Sequence, residues 1–126
     1  MPASYEIDKH RGLVISTGLE PFTLADALAH QEKLLHDPDF DPRFSQIIDY
    51  TRVTGSDLQA SDIRTLAQKS IFSPNSRRAI VVSTNLAFGF GRMFEMHRQN
   101  FGEEGIRVFR DLDQALDWIL SNNMSA

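Results

Sequence analysis

Short alternating or apolar runs, separated by longer stretches whose apolar residues recur every three to four positions, set the rhythm of this chain. "SYEID", residues 4–8, alternates, and "GLVISTGL", residues 12–19, is rich in β-branched residues, so both predict strands with Gly12 as the turn between them. Pro21-Phe22 leads to Thr23, which forms a capping box with Asp26 three residues on. Leu24, Leu28 and Leu35 then share one helical face, widened by Ala27 and Leu34. Asp37-Pro38 ends that helix near His36, because the residue before a proline avoids helical geometry.

Beyond the loop "HDPDFDPRF", the run "SQIIDY" at 45–50 predicts a buried strand. The next helix sets Ile63, Leu66, Ala67 and Ile71 on one face, with Ser61 as its expected N-cap. "SPNSRR" is a turn, and "AIVVS" at 79–83 is the most hydrophobic strand of the chain. Ser83, Thr84 and Asn85 offer caps for a helix from about Leu86 to Phe101. On it Leu86, Phe90, Met93, Phe94, His97 and Phe101 make the face expected to cover a sheet. "GEEG" closes this helix, "IRVFR" is a last strand, and Asp111 with Gln114 opens a final helix striped by Leu112, Ala115, Leu116 and Ile119. The order β-β-α-β-α-β-α-β-α predicts one α/β domain over residues 1–126: a five-stranded mixed sheet packed with helices through right-handed crossovers.

Composition narrows the class of function more than it names one. A chain of 126 residues buries roughly two-thirds of its unfolded surface and forms a core without staples. With no cysteine, disulfides and thiolate metal sites are excluded. The net charge of −4, with acids and bases interspersed, speaks against a nucleic-acid partner. "MPASYEIDKHRG" lacks the pattern of a signal peptide, and no apolar run reaches the ~20 residues of a membrane span. The expectation is a cytoplasmic protein without membrane insertion.

Taken with the stretches "DPDFDP", "FSPNSRRAIVV", "LAFGFGRMFE" and "RVFRDLDQALDWI", the element order resembles the SpoIIAA-like fold of STAS domains, within a group of small bacterial proteins. The resemblance runs over nearly the whole chain. In antagonists of anti-sigma factors, which share this fold, the central strand ends in Asp-Leu-Ser-x-Val, followed by Asp-Ser-x-Gly, whose serine accepts phosphate. Asp49, Tyr50, Thr51 and Val53 match the first part. Asp57 matches the second aspartate, but the phosphoacceptor position is Leu58, which has no hydroxyl. A switch loop would therefore draw on Asp49, Thr51, Ser56 and Ser61. The plainer reading is that these serines cap a helix.

Other constellations are weaker. Asp37, Asp39 and Asp41 alternate as in a calcium loop, but the glycine and glutamate places hold Pro42 and Ile48. A solvated loop pinned by Phe40 and Phe44 is expected instead. His10, His30, His36 and His97 lack metal spacing and are expected on exposed helix faces. "GFGR" at 89–92 lies inside a helical pattern, so it is no nucleotide fingerprint. Its two glycines each cost roughly 1 kcal/mol relative to alanine and ask for a close neighbour. Arg77 and Arg78, with Arg64 and Lys69, read as solvated charges or partners of the acidic loop.

Phe88, Arg92 and Met96, with Gly89 beside them, form a second face of the same helix, of the residue types enriched at interfaces. These observations lead to the expectation of a non-enzymatic regulatory module that docks an unidentified protein partner or a second copy of itself. No cofactor is expected, and no residue set has the types and spacing for acid–base or nucleophilic catalysis. The rival expectation is a binder of a small apolar or lipid-like molecule between sheet and helices, with "LAFGFGRMF" lining the pocket.

Overall fold

The computed structural model describes residues 3–53 and 58–124. Five strands and four helices follow in the expected order: β1 (Ala3–Asp8), β2 (Leu13–Gly18), α1 (Leu24–Leu35), β3 (Ser45–Asp49), α2 (Ala60–Leu66), β4 (Arg78–Val81), α3 (Asn85–Gln99), β5 (Ile106–Phe109) and α4 (Leu112–Met124). The strands lie side by side in chain order. β1 and β2 run antiparallel, as a short hairpin must, and the remaining pairs run parallel through helical crossovers. The sheet is therefore mixed.

Strand alternation divides the core into two layers. Leu13, Ile47, Ala79 and Val81 point to α4, where Ala115 and Ile119 are fully buried against them. The opposite side chains face the other three helices. Ile48, Ile80, Val82 and Ile106 meet Phe88 and Phe94 of α3, and Val14 meets Leu34 of α1 together with Phe72. Ala27, Val53 and Leu66 join α1 to α2. Burying each of these large aliphatic groups contributes about 1.5–3 kcal/mol.

Local chemistry explains the boundaries. The Thr23 hydroxyl accepts from the Asp26 backbone N–H at 3.2 Å while the Asp26 carboxylate accepts from the Thr23 N–H at 2.9 Å, the reciprocal cap expected from sequence. At α2 the cap is Gln59 rather than Ser61, because the Asp62 carboxylate accepts the Gln59 N–H at 2.9 Å and so starts the helix earlier. Thr84 caps α3 by accepting from the Ala87 N–H. The acidic loop is tied down residue by residue: Tyr5 donates to Asp37 at 2.7 Å, Lys9 to Asp39 and Arg43 to Asp41. Phe40 and Phe44 pack beneath it against the layer of Val14, Leu34 and Phe72.

Two helices are turned about their axes relative to the sequence expectation. In α1 the buried residues are Ala27 and Leu34, whereas Leu28 and Leu35 are exposed. In α3 the buried residues are Gly91, Glu95 and Arg98, whereas Leu86, and Phe101 just past the helix end at Gln99, are exposed. Gly91 meets the demand for a close neighbour, since a Cβ there would lie 3.1 Å from both methyls of Val108 on β5. Gly89 has open space around it.

Candidate functional site

Between the sheet and the three helices on its one side lies a cavity of about 120 Å³. Its walls are mostly apolar: Leu34 of α1, Ile63 of α2, Phe90 and Phe94 of α3, and Ile48 and Ile80 of the sheet. Its rim is formed by Leu58, Thr84 and Leu86, beside the C-terminal ends of β3 and β4 where Tyr50 and Val82 stand. Ligands of open α/β sheets gather at this end of the strands. The opposite end is closed by Gln46 and Arg78, both almost fully buried.

The closed end is a buried polar network. Arg78 is only 4% exposed and Glu103 only 1%. Arg78 Nη1 donates to both carboxylate oxygens of Glu103, at 3.3 and 3.2 Å, and to the Ser70 hydroxyl at 3.3 Å. Its Nε donates to the Gln46 side-chain carbonyl at 3.1 Å, and the Gln46 amide donates onward to Ser16 at 3.0 Å. Arg98 reaches Glu103 from α3 at 2.8 Å and also donates to the Ala67 carbonyl at 2.9 Å. The Arg78 guanidinium packs against the rings of Phe72 and Phe94. Burial pulls its pKa below the ordinary value, with Glu103 opposing, and the guanidinium stays charged. This is not the solvated arginine expected from sequence. Arg77 is half-buried, stacked on Trp118.

Two further polar groups line the walls. Burial pushes the Tyr50 phenol up to about 12, with the Arg78 charge acting in the opposite direction, so the phenol remains a donor at neutral pH. Tyr50 is held by the Phe22 ring, 5.1 Å away between centroids, and by the absence of a side chain at Gly18, where a Cβ would lie 2.6 Å from the tyrosine ring. His30 faces inward from α1 with its Nε2 buried and without a hydrogen-bond partner among the described residues. Desolvation, and to a lesser degree the charge of Lys33, lowers its pKa and favours the neutral ring. The expectation of histidines on exposed faces fails at this position, because α1 is rotated.

The sequence-derived sites are placed differently. Of the switch-loop candidates, Ser56 lies outside the described residues. Asp49 and Thr51 form a local turn in which the Asp49 carboxylate accepts from the Thr51 N–H at 3.0 Å and from its hydroxyl at 2.7 Å. Ser83 donates to the Thr51 carbonyl at 2.7 Å, which stitches that turn to the end of β4. Ser61 is exposed in the first turn of α2, where its carbonyl accepts from Thr65.

The interface candidates do not form a single face. Phe88 packs into the core with Ile80 and Val82, and Arg110 stacks on it at 4.4 Å. Gly89, Arg92 and Met96 are exposed, with Arg92 3.5 Å from Glu95. Reasoning from sequence missed His30, Gln46, Arg98 and Glu103 as a group. The available signal was a glutamine opening a buried strand and an arginine leading directly into another.

No helix among the described residues is long and apolar enough to cross a membrane. Compared with family models, curated proteins and solved structures, the chain matches none of them.

Proposed function

We propose that this protein binds a small, largely apolar molecule between its sheet and helices α1–α3, without catalysing its conversion. The observation that carries this reading is the cavity of about 120 Å³ with an apolar wall and a buried His30 Nε2 that has no hydrogen-bond partner among the described residues. An apolar void of about 150 Å³ takes up benzene, so the space suits a compact or slender ligand. An apolar pocket with a few convergent polar groups is the ordinary form of a ligand site. The polar groups present hold and orient; among the described residues no nucleophile paired with a base lines the space. The β-β-α-β-α-β-α-β-α order supports reading the fold as SpoIIAA-like, a resemblance that extends to carriers enclosing apolar ligands.

Native mass spectrometry after mild purification tests the reading. A bound species of small mass, released on unfolding, is the expected result. A bare monomer that also fails to take up added apolar probes would overturn it.

A second reading, docking to another copy of the chain, is favoured by the exposed outer edge of α3 and the turn after it, where Met96 and Phe101 are both 59% exposed. Its signature in the same spectrum is a doubled mass. This reading carries forward the regulatory module expected from sequence as a proposal, with docking tuned at the segment from Thr51 to Ser61.

A further inference from the structure

The charges at the closed end of the cavity do not cancel. Arg78 and Arg98 bring two cations and Glu103 one anion, all three nearly removed from solvent. Glu95 of α3, the other buried carboxylate, lies 3.5 Å from the exposed Arg92, and its Oε1 makes no hydrogen bond among the described residues. Arg98 and Glu103 already form a neutral pair at 2.8 Å, so Arg78 is the excess charge. Its Nε and Nη1 are engaged, but its Nη2 makes no hydrogen bond to the described residues, and Arg78 lines the cavity. A buried cation without a full complement of partners is costly, and an anion delivered into the same low-dielectric space offsets that cost.

Resting on the ligand-binding reading above, we propose that the occupant is an aliphatic monocarboxylic acid whose carboxylate docks at Arg78 and whose hydrocarbon tail runs along the cavity toward the rim at Leu58 and Leu86. A single excess charge calls for a monoanion rather than a phosphate, and the two N–H groups of Nη2 are the charged donors left for a carboxylate oxygen. The tail would lie between Ile48 and Ile80 of the sheet and Leu34, Ile63 and Phe94 of the helices. The Tyr50 phenol, protonated at neutral pH, and the buried His30 Nε2 are further polar contacts along the wall. The cavity of about 120 Å³ would hold the head group and the first part of the tail, with the rest continuing out past the rim.

The test is calorimetric titration of octanoate and of n-octanol, which share a tail and differ in the head group, into the wild type at neutral pH. Octanoate should bind at least about tenfold more tightly, as expected for hydrogen bonds to a charged group. Arg78→Met, in which Arg98 and Glu103 still balance one another, should lose the preference for octanoate over n-octanol. A wild type that prefers n-octanol, or binds both equally, overturns the carboxylate proposal and leaves the apolar site standing. Binding of neither overturns both. Should Arg78→Met not fold, carboxyl-labelled octanoate bound to the wild type decides by NMR. A carboxyl resonance titrating below that of the free acid supports the docking at Arg78, and one titrating at or above it overturns it.

Discussion

Arg78 Nη1 lies 3.2 Å from Glu103 Oε2, and neither residue is more than 4% exposed. The pair joins β4 to the segment after α3, and Arg78 itself lines the cavity, so the same contact closes the fold and sets the polarity of the site.

Glu103→Gln should be the most damaging single change in this network. It leaves two buried guanidinium groups with no counter-charge, and breaking a buried pair from one side costs about 3–5 kcal/mol. Arg78→Met should cost clearly less, because Arg98 continues to neutralise Glu103. Urea denaturation of the two variants checks the order, and a reversed order would contradict the charge accounting.

The two glycines of α3 should respond differently to alanine. Gly89 is exposed with nothing within 4 Å of an added Cβ, so Gly89→Ala should stabilise by roughly 0.5–1 kcal/mol through helix propensity. Gly91→Ala would press the new methyl against Val108 at 3.1 Å. Overpacking of about 1–3 kcal/mol then cancels or exceeds the propensity gain. Thermal unfolding of both variants measures the difference.

The order of elements and most caps were legible because they depend on local chemistry: the Thr23–Asp26 box, the glycine after α3, the β-branched strands. Which face of α1 and α3 turns inward was not legible. Apolar periodicity puts Leu28 and Leu35, and Leu86 and Phe101, toward the sheet, and both helices are in fact rotated by roughly a quarter turn. Their inward positions carry His30 on α1 and Gly91, Glu95 and Arg98 on α3. A glycine admitted for close packing and charged groups satisfied by distant partners read as surface in a linear sequence. Arg78 and Glu103 lie 25 positions apart, so no local pattern links them.

Rotation of α3 also separates the interface candidates. Phe88→Glu should destabilise by more than about 2 kcal/mol, because it buries a charge beside Ile80 and Val82. Met96→Glu should shift stability by no more than about 0.5 kcal/mol, as an exposed substitution does. Sedimentation of Met96→Glu therefore tests self-association without unfolding the protein. If chains do pair through this edge, the variant should remain monomeric at concentrations where the wild type associates.

His30 should leave a signature in the dependence of stability on pH. Its pKa is lowered from 6.5 in the folded protein, chiefly by burial. Below that value the unfolded chain takes up a proton that the folded state resists. Stability should thus fall as pH drops through the unfolded pKa toward the lower folded one. His30→Gln should show a flatter profile between about pH 7 and pH 5. The strongly depressed carboxyl of Asp41, held at about 2 by Arg43, acts only further into acid. An unchanged slope in the variant would mean that His30 is open to water when folded.

Methyl NMR during titration with n-octanol tests the central claim most directly, because the sheet separates its two layers. Saturable shifts are expected at Ile48, Ile80 and Val82, which face the cavity, with Ile47, Val81 and Ile119 on the α4 side unmoved. Shifts of equal size on both sides of the sheet, or none that saturate, would contradict the account.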